Sequence, residues 1–228
     1  MKSDVMMHLS KNAGWSGYLP IIFSLEMSRN LLRNRLIASV GGFNRMKMRD
    51  PNKGLDERQK KMWPQALQRA SEANIEIFDG AGQTTAEIRA KIRKLVNQTK
   101  MKPVVFIDYL TLIKPANPDS DNTHQNVGQI SKDLKSIAKE FDCPVVSLAQ
   151  LSRKVEARPD KRPMLSDLRE SGSIEEDADT VFFLYRDSYY TGDDTDRNLE
   201  IIVAKNRNGP TGMALSLYNK HTGEMIDP

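Results

Sequence analysis

Apolar residues fall along this chain in two rhythms, helical stripes and short unbroken runs, and their order predicts the elements. Val5, Met6, Leu9 and Ala13 recur at helical spacing, so a helix is predicted over residues 3–13, with Ser3 as its cap and Gly14 as its stop. Gly17 to Glu26, GYLPIIFSLE, is an apolar run that ends in a carboxylate and reads as a strand. Ser28 then caps a helix to about Val40, with Leu31, Leu32, Leu36 and Ile37 on one side and Gly41 and Gly42 as breakers. Residues 43–54 read as an irregular connection. A helix follows from Leu55 to about Ala73, with Met62, Ala66, Leu67 and Ala70 inward and Pro64 near a local start or kink. Asn74 to Asp79 alternates as a strand does. Thr84 or Thr85 starts a helix that buries Ile88, Ile92, Leu95 and Val96.

The run Lys102 to Ile113, KPVVFIDYLTLI, is the centre of the pattern. Val104 to Ile107 do not alternate with polar residues, so both faces of this strand must be covered, as in a parallel sheet flanked by helices. A polar loop from Pro115 to Thr123 leads to an amphipathic helix, His124 to Phe141, burying Val127, Ile130, Leu134, Ile137 and Ala138. Pro144 to Gln150 is a further buried strand, ending in an amide. Residues 152–173 carry many arginines and prolines and read as an exposed loop region. The strands Asp179–Arg186, Leu199–Lys205 and Gly212–Tyr218 then follow at hairpin spacing. The fold class is α/β, a mostly parallel central sheet flanked by helices with an antiparallel carboxyl-terminal edge, and residues 1–228 form one domain.

Composition narrows this little. The 228 residues are 39% hydrophobic and 28% charged, ordinary for a globular protein. No apolar run approaches the ~20 residues needed to cross a membrane and no signal peptide is visible, so a cytoplasmic protein is expected. The lone Cys143 opens an apolar run and is expected in the core, and three scattered histidines make no metal cluster. A net charge of +4 mixes 34 basic with 30 acidic residues, which permits nucleic-acid binding without requiring it.

The chemistry gathers at strand ends. Glu26, Asp108 and Gln150 each end a predicted strand, and parallel β, α, β units bring such ends to one edge of the sheet, where ligands of open α/β sheets bind. Asp108 there can hold a hard cation that carries phosphates, or it can simply be a solvated strand end. Nucleoside triphosphate hydrolysis needs a magnesium ligand, a group that positions water and a γ-phosphate sensor, roles suited to Asp108, Glu26 and Gln150 in turn. Tyr109, Tyr185, Tyr189 and Tyr190 could stack on bases, although packing is the commoner use of such side chains.

FSLEMS at 23–28, VVFIDYLTLI at 104–113, SLAQLSR at 147–153, RPMLSDLRESGSIEEDAD at 162–179 and AKNRNGPTG at 204–212 resemble the successive motifs of DnaB-type replicative DNA helicases. The resemblance implies a RecA-like P-loop NTPase motor that assembles as a homo-hexameric ring, hydrolyses ATP with Mg2+ between subunits and translocates on single-stranded DNA. It also implies contacts with a helicase loader and primase. By position, Glu26 matches the glutamate that polarises the attacking water, Asp108 the Walker B magnesium ligand, and Gln150 the glutamine coupling nucleotide state to DNA loops. Lys205 and Arg207 match the lysine and arginine finger offered to a neighbouring subunit's γ-phosphate. Arg169, Glu170 and Gly172, within a DNA-binding loop region spanning 151–178, match residues that contact the DNA backbone.

One motif departs from the pattern. Lys2 and Ser3 align with the last two residues of the phosphate-binding loop, as nucleotide and magnesium ligands, but Met1 stands at the final glycine's position. The first strand and the rest of the P-loop are absent from this sequence. The expectation is therefore a motor domain incomplete at its amino end, whose 228 residues alone turn over no ATP. The competing expectation is a non-catalytic module that contributes to a ring or binds a loader.

Overall fold

The computed structural model describes residues 1–115, 123–168 and 172–228. Helix α1 (Lys2–Trp15) leads into strand β1 (Leu19–Ser24), then α2 (Arg29–Gly41), the single turn α3 (Pro51–Gly54) and α4 (Glu57–Glu72). Strand β2 (Glu76–Phe78), helix α5 (Thr85–Thr99), strand β3 (Pro103–Asp108), helix α6 (Thr123–Glu140) and strand β4 (Val145–Ser147) follow. After two 3-10 turns come α7 (Gly172–Asp177), β5 (Thr180–Tyr185), α8 (Ser188–Thr191), β6 (Asn198–Asn206), β7 (Gly212–Tyr218) and β8 (Met225–Ile226).

Strands β1 to β4 form a parallel sheet in the order β2-β1-β3-β4, with Ile21 beside Val105 and Ser24 beside Asp108. The unbroken apolar runs are explained by what lies on each face. Ile21, Phe23, Val105 and Ile107 turn toward Ile88 and Ile92 of α5 and Val127, Ile130, Leu134 and Ile137 of α6. Ile22 and Phe106 turn the other way, toward Met6 and Met7 of α1, Leu32 and Leu36 of α2 and Ala70 of α4. All six residues of β1 are buried, and successive side chains of a strand must face opposite sides. The antiparallel carboxyl-terminal part is hydrogen-bonded to itself as a second four-stranded sheet, in the order β5-β6-β7-β8, and joins α1 through Val5, Leu199, Tyr218 and Met225.

Local chemistry agrees with several predicted ends. Ser28 Oγ accepts from the Leu31 N–H and Gly42 takes a left-handed conformation, so α2 begins and stops as its sequence demands. Thr84 and Glu87 form a reciprocal capping box at α5. Other expectations are corrected. Ser3 is no cap, since α1 starts one residue earlier and the hydroxyl is committed elsewhere. Gly14 lies inside α1 because the helix packs onto the end of α4, where a Cβ on Gly14 would stand 1.8 Å from the Ala73 carbonyl oxygen. Met62 and Leu67 are 40% and 41% exposed, and α4 buries only Ala66 and Ala70. The predicted strand Pro144–Gln150 is cut to Val145–Ser147 and is only partly buried, because β4 is the end strand of its sheet. Sequence periodicity missed β8, a pair of residues too short to show alternation.

Candidate nucleotide site

The carboxyl ends of β1 and β3 and the first turn of α1 converge. Asp108 ends β3 and is 1% exposed, an acid buried at the sheet edge. Ser3 Oγ donates to its Oδ2 across 2.8 Å. The Asp108 carbonyl accepts from the Leu25 N–H at 2.7 Å, which ties the segment carrying Glu26 to the same point. Glu26 lies two residues beyond β1 and is exposed. Among the described residues no three His, Cys, Asp or Glu side chains gather as a metal cluster. Asp108 and Ser3 are the side chains at this edge that could hold a cation, with phosphate and water supplying the rest of its shell, as Mg2+ favours.

Lys2 reaches across the same edge. Its Nζ donates to the Ala149 carbonyl at 3.0 Å and stands 5.5 Å from the Tyr109 ring centre. Although the residue keeps solvent access, desolvation of its ammonium by the strand ends lowers its pKa, against the opposing pull of Asp108 and Glu26. Both carboxylates thus act on the Lys2 ammonium. Gln150 follows Ala149 and is exposed, three residues past β4, so the structure puts it near this edge on a segment that is not strand. Of the four tyrosines considered above, Tyr185 is buried, Tyr109 and Tyr190 are half-buried, and Tyr189 is 71% exposed.

Lys205 and Arg207 form a separate group. Lys205 stands at the end of the long strand β6 and Arg207 in the turn after it. Both donate to main-chain carbonyls of α7: Lys205 to Glu175 and Glu176, Arg207 to Glu176. Arg169 and Glu170 lie outside the described residues, and Gly172 is the first residue of α7.

Sequence reading missed the group that anchors α1. Asp4, 3% exposed, accepts from the Tyr218 hydroxyl at 2.6 Å, from Arg45 Nη1 at 2.7 Å and from Arg35 Nη1 at 3.4 Å. Burial alone would raise its pKa; the Met1 α-amino group, Tyr218, Arg45 and Arg35 outweigh it and hold the carboxyl below its ordinary value. The signal was present, since an acid beside Val5, Met6 and Met7 on an inward stripe needs a partner. Beside Tyr218 opens a polar cavity of about 210 Å3, lined among others by Arg186, Lys220 and His221.

A helix start carrying a lysine and a serine, set against a buried acid at the end of a central parallel strand, defines a phosphate-handling α/β protein of the RecA-like class. The chain belongs to the DnaB-like helicase C terminal domain family, which matches residues 2–226. It is 44% identical over 207 residues to the replicative DNA helicase DnaC of Bacillus subtilis, covering 90% of this chain and 45% of that protein. To the replicative DNA helicase DnaB of Haemophilus influenzae it is 38% identical over 221 residues, 96% of this chain and 47% of the relative. The chain thus spans about half the length of the curated relatives it matches. Among solved structures, one described as an ATPase domain superposes with a TM-score of 0.94 at 38% identity, over 100% of this chain and 80% of that one. A second, described as a DnaB-like replicative helicase and its interactions with primase, gives 0.94 at 38% identity over 99% of this chain and 54% of that one. The RecA-like fold expected from the motifs is the fold observed. No helix among the described residues is long and apolar enough to cross a membrane.

Proposed function

We propose that this chain is the carboxyl-terminal motor of an ATP-dependent replicative DNA helicase, a cytoplasmic homo-hexameric ring that moves on single-stranded DNA and meets primase and a loader. The observation that carries the proposal is the Ser3–Asp108 hydrogen bond beside Lys2 and Glu26 at the sheet edge. Mg2+ bound with ATP would neutralise developing charge on the phosphates. Asp108 and Ser3 are the residues that would hold that cation, and Lys2, at the start of α1, would pair with the phosphates. Glu26, exposed and close enough to act on the Lys2 ammonium, orients the attacking water. Gln150, on the segment whose Ala149 carbonyl holds Lys2, senses phosphate and passes that state to the region 151–178. Lys205 and Arg207 present cations to the phosphate bound by an adjacent subunit, a role for which arginine fingers supply roughly 10³ to 10⁵ in rate. Arg169, Glu170 and Gly172 contact the DNA backbone.

The test is a chimera in which this chain replaces the matching segment of the Bacillus subtilis relative. Forked duplex DNA is unwound by the chimeric ring with ATP and Mg2+ if the proposal holds. A ring that assembles, binds single strands and yet unwinds nothing would mark this chain as a non-catalytic ring module.

A further inference from the structure

Helix α7 has six residues, too few to sustain themselves as an isolated helix, so its neighbours must hold it. On one flank it lies against α6, where a Cβ on Gly128 would come within 2.9 Å of Ser173 Oγ. Its carboxyl end is held otherwise. The last carbonyls of a helix lack partners inside the helix and carry its partial negative charge. Here those of Glu175 and Glu176 accept from the Lys205 ammonium and the Arg207 guanidinium. The fixing extends past the helix, because the Arg207 N–H donates to the Asp179 carbonyl at 2.8 Å and the Asp179 carboxylate pairs with Lys135 of α6. Two cations at the end of β6 and in the turn after it thus clamp the far end of a helix that starts at Gly172.

We propose that Lys205 and Arg207 are positioning residues within their own subunit, clamping α7 and, on the helicase reading above, setting the geometry with which the chain meets single-stranded DNA when no nucleotide is bound. This role is separate from any contact with a neighbour's phosphate. A finger acts only when a triphosphate is present, and its function demands a planar guanidinium. A clamp on carbonyl oxygens acts in the nucleotide-free chain, and an ammonium can replace a guanidinium there because both are charged donors.

Hydrogen exchange at the amides of residues 176–178, measured on this chain without nucleotide or DNA, reads the clamp directly. In Lys205→Ala and Arg207→Ala those amides are expected to exchange about fivefold faster or more while those of β1 and β3 are unchanged, and Arg207→Lys restores protection. In the same preparations, affinity for oligothymidylate falls by about fivefold or more in the alanine variants and returns in Arg207→Lys. Should the alanine variants lose protection in β1 and β3 as well, Lys205→Gln and Arg207→Gln, which keep the side-chain bulk, are read instead. Unchanged exchange at 176–178 in the Lys205→Ala, Arg207→Ala double variant overturns the clamp. A wild-type chain that binds no oligothymidylate counts against the DNA reading alone, and exchange at 176–178 then decides the clamp.

Discussion

The Tyr218 hydroxyl donates to the Asp4 carboxylate across 2.6 Å and joins the first turn of α1 to the end of β7, 214 positions away in sequence. Arg45 meets the same carboxylate at 2.7 Å and also donates to the Lys220 carbonyl, so one buried acid binds α1, the segment after α2 and the second sheet together. Tyr218→Phe removes one donor from this group and is expected to cost about 1.5–3 kcal/mol, as a hydrogen bond to a charged acceptor does. Asp4→Ala leaves a partly buried arginine unpaired and costs about 3 kcal/mol or more. The two losses are not additive, and a double-mutant cycle by urea denaturation shows a coupling of about 1 kcal/mol. A coupling of zero would mean that the bond contributes nothing to stability.

Acid should release this anchor. Burial opposes ionisation of Asp4, but the Met1 α-amino group, Tyr218, Arg45 and Arg35 together leave its folded pKa below the unfolded value of about 3.9. A depressed carboxylate contributes stability that is present above the unfolded pKa and is lost as pH falls through the folded one. The midpoint of thermal unfolding is therefore expected to drop as pH is lowered below about 4, and Asp4→Asn to flatten that part of the curve. Parallel curves for the two proteins would contradict the assignment.

Cys143 is 9% exposed, and burial pushes its thiol up to about 11, with Asp142 adding to the shift. The thiolate is the reactive form, so at pH 8 the native protein should react with a disulfide reagent at least about tenfold more slowly than the urea-unfolded chain. Equal rates would place the thiol in solvent.

The legible part of the fold was the part governed by local pattern. The apolar runs at Gly17–Glu26 and Lys102–Ile113 marked strands, the second one covered on both faces, and Ser28, Thr84 and Gly42 marked helix ends, because each signal depends on residues close in sequence. Contacts between distant segments could not be read that way. Gly14 has the look of a helix stop until α4 is seen to press Ala73 against it, and the exposure of Met62 and Leu67 depends on how α4 lies on α2. At the site, Asp108 and Glu26 were visible as acids at strand ends. That Ser3 serves Asp108 instead of capping its helix, and that Lys205 and Arg207 hold α7, required the packed structure.

On the function proposed above, Asp108, aligned by Ser3, holds the cation of a Mg-ATP hydrolysing motor. The deciding measurement is Mg2+-dependent, single-strand-stimulated ATP turnover in the ring-forming chimera, with Asp108 intact and as Asp108→Asn. Turnover is expected to rise with single-stranded DNA and to fall by roughly 10²-fold or more in Asp108→Asn, with the ring still assembled. Turnover by Asp108→Asn at the rate of the unchanged chimera would contradict it.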